Sequence, residues 1–223
     1  MRIALINGSP KAKDSASGCI LQGFAGMLEE GTGLGRFHLR NDRIEEEVFS
    51  GIAGCDMLVF AFPLYVDGIP SHLLRWLTVL EGRLAADGKK RQVFAIANCG
   101  FYEGCQADLA LEMMEHWCAR AGQAWGLGLG VGGGGMLVGL DKIPMGKGPK
   151  ANLGRALQGM AGLIGQAAPA ENLYINPNFP RFLYKAAAEM GWRHMARENG
   201  LGRGELSRKA PPATEREESA REG

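Results

Sequence analysis

The stretch MRIALINGSPKAKDSASG, residues 1–18, decides the fold. Arg2–Ile6 is a short apolar run that reads as a strand, and Asn7-Gly8-Ser9-Pro10 ends it. Gly8 tolerates left-handed backbone angles, while Pro10 cannot donate a ladder hydrogen bond and keeps Ser9 out of helical conformation. Lys11 and Lys13 follow, then Ser15-Ala16-Ser17, then Ile20, Phe24, Met27 and Leu28 at helical spacing. A strand, a hydroxyl-rich loop and a helix start therefore come in that order. The first amides of a helix lack internal partners and its dipole is positive there, so such a loop holds an anion, and a phosphate ester is the natural ligand. A lone serine in this place reads as a helix cap. Three hydroxyls, Ser9, Ser15 and Ser17, behind a strand and a glycine-proline turn favour the anion.

The rest of the chain repeats the alternation. Arg36–Leu39 is a weakly patterned strand, and Asn41 or Asp42 can cap a helix with Glu45, Glu46 and Glu47 in its first turn. Asp56–Phe62 is a continuous apolar run of the kind found in a parallel strand buried on both faces. Pro63 to Pro70 is a loop, Ser71 can cap a helix reaching about Leu84, and Gln92–Ala97 is the next strand. The loop 98–104 precedes a helix over Asp108–Ala121, and Ala124–Val131 is a glycine-laced fifth strand. The pattern predicts an α/β fold with a doubly wound five-stranded parallel sheet. The loops 7–17, 63–70 and 98–104 all follow strands, so they share the carboxyl edge, where ligands bind such sheets. Residues 132–150 read as a mobile, glycine-rich excursion, and helical spacing resumes after 150 and again over 180–199. One domain over 1–202 is expected, with its core in 1–131 and a helical extension over 150–200. The tail 203–223 mixes both charges with almost no large apolar group and is expected to be disordered.

Composition narrows the function. With 25 basic and 24 acidic residues and a net charge of +1, no broad field for nucleic acid or an anionic membrane is present. The five cysteines form no C-x-x-C pair, which argues against a disulfide framework and a zinc site and for reduced thiols. No apolar run approaches spanning length, so a cytoplasmic protein is expected. Gly128-x-Gly130-x-x-Gly133 has the spacing of a dinucleotide fingerprint, but it lies late in the chain and opens no clear helix. Gly146-Lys147 lacks the following Ser or Thr that holds magnesium in a nucleotide triphosphate loop. His38, His72, His116 and His194 are scattered without ligand spacing, and no metal is expected. Trp76 and Trp117 fall on apolar helix faces and read as core. Tyr65 lies in a candidate site loop and reads as functional. Cys99 sits in another and reads as small-residue packing beside a ligand, not as a nucleophile.

Asn7-Gly8-Ser9-Pro10-Lys11 with Ser15-Ala16-Ser17, and Pro63-x-Tyr65-x-x-x-x-Pro70, together resemble motifs of the NADPH-dependent FMN reductase family of the flavodoxin-like superfamily. The resemblance covers roughly residues 1 to 130. It implies a sheet in the order 2-1-3-4-5. It also implies an FMN phosphate held by Ser9, Pro10, Lys11, Ser15, Ala16 and Ser17, and a flavin ring held by Pro63, Leu64, Tyr65, Val66, Asn98, Cys99, Gly100 and Phe101. NADPH or NADH would be the electron donor and a quinone, free flavin or other small molecule the acceptor, with the chemistry on the flavin and no catalytic side chain. Homodimers are implied as well. Only Cys55 stands where iron-sulfur relatives carry a cysteine motif, so no cluster is expected. The alternative is a flavodoxin-like FMN-binding electron carrier, or a redox-responsive binding module, without nicotinamide turnover.

Overall fold

The computed structural model describes residues 1–41, 43, 45–166 and 170–207. The chain divides into two compact units, Met1–Asn178 and Phe179–Gly223. In the first, six parallel strands form one sheet in the order β2-β1-β3-β4-β5-β6. They are β1 (Arg2–Asn7), β2 (Gly33–His38), β3 (Met57–Pro63), β4 (Gln92–Asn98), β5 (Ala124–Val131) and β6 (Leu173–Ile175). The helices are α1 (Ala16–Ala25), α2 (Glu46–Ala53), α3 (Ser71–Asp87), α4 (Asp108–Arg120), the single turn α5 (Gly134–Leu137) and α6 (Ala151–Gly162).

Side chains of a strand alternate between faces, and the central strands are apolar at every inner position because both faces are covered. Ala4, Ile6, Leu58, Phe60, Phe62, Val93 and Ala95 pack with Trp76, Leu77 and Leu80 of α3 and Leu111, Met114 and Trp117 of α4. Their neighbours in sequence, Ile3, Leu5, Met57, Val59, Ala61 and Ile96, pack with Ile20, Leu21 and Phe24 of α1 and Leu153, Leu157 and Met160 of α6. Each fully buried Leu, Ile or Phe contributes about 1.5–3 kcal/mol. Trp76 and Trp117 are core, as expected, and each indole N–H has a carbonyl partner, Asn41 O at 2.9 Å and Leu77 O at 2.8 Å.

The expected 2-1-3-4-5 order is present, but the sheet is not five-stranded: β6 extends it beside β5. Three residues, none of them buried, carry no periodicity that a sequence could display. The glycines of β5 make room for this edge. A Cβ on Gly130 would lie 2.5 Å from Gly104 O, one on Gly104 would lie 2.4 Å from Ile175 O, and one on Gly132 would lie 2.0 Å from Tyr102 O. Backbone packs directly on backbone at Gly130, whereas at Gly128 the room is taken by the Asn172 side chain, 2.7 Å from where a Cβ would lie.

Several local expectations are corrected. Asn41 does not cap α2, since Glu45 occupies the cap position without a side-chain bond; the other candidate, Asp42, lies outside the described residues. Ser71 is the first residue of α3, and Pro70 precedes it. The 132–150 segment is folded, not a free excursion. It comprises α5 and two 3-10 turns, Val138–Leu140 and Gly148–Lys150, and is tied down by Lys150 Nζ on Leu140 O at 2.8 Å and Asn178 N on Pro149 O at 3.0 Å. Met145 covers Gly23 of α1, where a Cβ would lie 2.5 Å from its Cε.

At the amino edge of the sheet, the Arg91 side chain is 1% exposed. All five of its N–H donors are used: on Cys55 O (3.2 Å), Lys89 O (2.8 Å), Ala53 O (2.6 Å) and both oxygens of Asp87 (3.2 and 2.5 Å). The guanidinium fork thereby joins the end of α2, the end of α3 and the start of β4.

The second unit holds α7 (Arg181–Glu198), inside the helical segment expected over 180–199, and a 3-10 turn over Arg203–Ser207. Residues 203–207 of the expected disordered tail are thus turned, and 208–223 lie outside the described residues. The ion pair Arg193–Glu189 and a 3.3 Å contact of His194 Nε2 with Glu198 Oε1, each one turn apart, run along α7. No helix among the described residues is long and apolar enough to cross a membrane.

Candidate functional site

The loop after β1 is held by its own side chains. The Asn7 carboxamide accepts from Ser9 N at 3.0 Å and donates to Ser15 Oγ at 3.2 Å, closing the loop across its base. Asp14, at φ 51°, turns the chain back so that Ser15 can cap α1, accepting from Gly18 N at 3.0 Å. Ser15 is therefore the cap and Ser17 is not. Ser17 lies inside the first turn, 1% exposed, and accepts from Asn98 Nδ2 at 2.8 Å. Ser9 Oγ accepts from Lys11 N at 3.3 Å.

A pattern follows from these bonds. Each of the three hydroxyls already accepts, Ser15 twice, and no acceptor stands against their own protons among the described residues. Each thus keeps one O–H to donate. The amides of Ala16 and Ser17, at the positive end of α1, likewise meet no acceptor among the described residues. Capping and anion binding are not rivals here, because a hydroxyl accepts with its lone pairs and donates with its proton.

Asn98, 4% exposed at the end of β4, ties the loops together. Its amide nitrogen donates to Ser17 Oγ and to Phe62 O at 2.9 Å, while its own carbonyl accepts from Leu64 N at 2.8 Å. The next loop is stitched to the end of β5 by Gly134 N on Cys99 O (2.7 Å) and Gly133 N on Phe101 O (2.6 Å). Tyr65 and Gly68 pair in a two-residue turn whose central residues, Val66 (φ 49°) and Asp67 (φ 59°), are both left-handed. That conformation is rare for a β-branched residue.

Together these loops enclose a cleft of about 530 Å³ lined by Ser9, Lys11, Ser15, Ala16, Ser17, Pro63, Leu64, Tyr65, Asn98, Cys99 and Gly100. Three residues singled out from the sequence stand outside this lining: Pro10, Val66, which is fully exposed, and Phe101, 56% exposed. Four residues the sequence reading missed complete it: Gly134, Gly135, Val138 and Gly139. The loop after β5 reaches the same edge as the others, so strand parity alone could have included it. A Cβ on Gly100, Gly135 or Gly139 would meet nothing within 4 Å, so these backbones face open space and admit close approach of a flat ring. Hydroxyl and amide donors at one end and an apolar, glycine-edged slot at the other suit a phosphorylated heteroaromatic group such as FMN.

Cys99 Sγ, 3% exposed, lies 3.5 Å from Glu103 O, and burial pushes its thiol up, as it does for Cys55 and Cys118. A thiol held protonated is a poor nucleophile. Brief treatment with iodoacetamide at neutral pH, read by mass spectrometry, is expected to label exposed Cys105 and spare Cys55, Cys99 and Cys118. Rapid labelling of Cys99 would contradict its packing. Among the described residues no group of three His, Cys, Asp or Glu side chains could hold a metal.

No family model and no curated protein matches the chain in sequence. Solved structures do match its fold. The Trp repressor binding protein from Bacillus subtilis is 18% identical, with 74% of this chain and 99% of that chain covered and a TM-score of 0.52. A flavodoxin, WrbA-like protein from Agrobacterium tumefaciens is 10% identical over 73% and 93% of the two chains, with a TM-score of 0.50. The apo form of an NADH:FMN oxidoreductase is 15% identical over 74% and 90%, with a TM-score of 0.53. This chain accordingly shares the flavodoxin-like fold of these proteins, with one more strand than the expected five-stranded sheet.

Proposed function

We propose that the protein is an FMN-dependent NAD(P)H oxidoreductase. The observation that carries this reading is the set of three hydroxyls, Ser9, Ser15 and Ser17, which accept from the protein and keep their protons for a phosphate at the start of α1. Lys11 lines the same end of the cleft and adds charge without a metal. When bound, FMN supplies hydride acceptance from nicotinamide and electron delivery to a quinone, free flavin or other small acceptor. The protein's own task is to hold and orient. Ser9, Ser15, Ser17 and Lys11 fix the phosphate. Pro63, Leu64 and Tyr65 on one side, and Asn98, Cys99, Gly100, Gly134 and Gly135 on the other, border the ring slot and limit water there. A second copy of the chain would close on the exposed Tyr65, Val66 and Phe101 at the rim, as in a homodimer.

The test is spectroscopic. Purified protein reconstituted with FMN is expected to retain a visible flavin band through gel filtration, and NADPH or NADH should bleach it without oxygen. Adding a quinone should then restore the band with catalytic turnover. A retained band that nicotinamide does not bleach would make the protein an electron carrier, and no retained flavin would overturn the proposal.

A further inference from the structure

The two histidines nearest the site do not line the cleft, yet both bond to its first loop from behind. His38, at the end of β2, places Nε2 3.0 Å from Ser9 O, and His72, in the first turn of α3, places Nε2 3.1 Å from Gly8 O. A carbonyl only accepts, so each Nε2 carries the proton. Leu73, beside His72, packs on Gly8, where a Cβ would lie 2.6 Å from its Cδ2. Burial holds the His38 imidazole below its ordinary pKa against the effect of its bond to Ser9, with Arg40 and His72 adding in the same direction as burial.

These bonds decide which way two peptide groups face. The Gly8–Ser9 peptide is pinned at both ends, Ser9 N on Asn7 Oδ1 and Gly8 O on His72. The Ser9–Pro10 peptide has no N–H, so among the described residues its one hydrogen bond is the one from His38 to Ser9 O. A peptide carries a dipole of about 3.5 D, and a carbonyl turned toward a bound anion repels it. Gly8, which has no Cβ, opposes such a reorientation with little steric resistance.

We infer that His38 and His72 are positioning residues for the anion loop: their Nε2–H groups draw the Ser9 and Gly8 carbonyls to the rear and leave the hydroxyl face to the phosphate. This rests on the phosphate assignment made above and adds to it residues outside the cleft. Neither histidine touches the ligand in this arrangement.

The experiment compares FMN with riboflavin, which lacks the phosphate, by quenching of flavin fluorescence. His38→Leu and His72→Leu are each expected to weaken FMN binding about tenfold, about 1.4 kcal/mol, and riboflavin binding less than about twofold. His38→Gln and His72→Gln, which place an N–H near the Nε2 position, should recover most of the loss. Equal weakening of both flavins would mark the histidines as merely structural and overturn the inference, as would leucine variants that bind FMN like the parent. Failure of the glutamine variants to recover would overturn it too. A parent that binds neither flavin would overturn the flavin assignment and this inference with it, whereas the other failures leave that assignment standing.

Discussion

Ser17→Asp is expected to weaken FMN binding by one to two orders of magnitude while leaving riboflavin binding nearly unchanged. The hydroxyl of Ser17 accepts from Asn98 and holds a proton for the phosphate. A carboxylate keeps the bond from Asn98, and negative charge in the first turn of a helix suits its dipole, so the fold should tolerate it. What changes is the cleft face, where a donor is lost and a like charge is placed against a phosphate dianion. One charge-assisted hydrogen bond is worth about 1.5–3 kcal/mol, and each 1.4 kcal/mol is about tenfold in affinity. Ser17→Ala removes the donor without the charge and should fall between the two. If Ser17→Asp held FMN as tightly as the parent, the phosphate would lie elsewhere.

Arg91→Met should cost more stability than any surface substitution. It removes five hydrogen bonds and leaves the carbonyls of Ala53, Cys55 and Lys89 without the donor that serves them. Buried carbonyls left unpaired cost about 1–3 kcal/mol each, so a loss of about 3–5 kcal/mol in all is expected, while Asp87, 34% exposed, turns to water. For a chain of this size the midpoint of thermal unfolding should fall by roughly 6–20 °C. A shift within about 2 °C would show that the guanidinium contributes little. The pair also has a pH signature. The hydrogen bond from Arg91 holds the Asp87 carboxyl below its ordinary range against the opposing effect of burial, and the bond from Lys89 N adds in the same direction as Arg91. A depressed carboxyl stabilises the fold above its unfolded value, about 3.9, and that stabilisation is lost as pH falls through the lower folded value. Thermal unfolding of the parent below about pH 4 should therefore steepen with acid, and the Arg91→Met variant should lack that part of the slope.

The sheet was readable because its central strands are apolar at every inner position, and because strand and helix alternate with loops on one edge. Lys89-Lys90-Arg91 had no such signature. A run of three cations reads as a solvated turn, and only the convergence of two helix ends and a strand makes Arg91 internal. The same holds for His38 and His72, which lie 34 positions apart in the chain and meet at one loop only through the sheet order. The serines of the first loop were legible because their setting is local: strand, turn and helix start are contiguous. Gly134, Gly135, Val138 and Gly139 were missed because a glycine run looks the same whether it moves freely or packs on its neighbours.

The interlocked glycines at the far edge of the sheet also set an order of assembly. Gly104 N bonds to Asn176 Oδ1, Gly132 N to Ile175 O and Tyr102 OH to Pro177 O, so the loop that borders the ring slot leans on chain 75 positions later. At about 5–20 residues per second, a ribosome makes that stretch in roughly 4–15 s. Until it emerges, the loop after β4 rests only on the residues that follow β5, through Gly133 N on Phe101 O and Gly134 N on Cys99 O. The flank of the cleft is thus braced only near the end of synthesis of the first unit, and any ligand of the cleft would meet a finished sheet, not a nascent one.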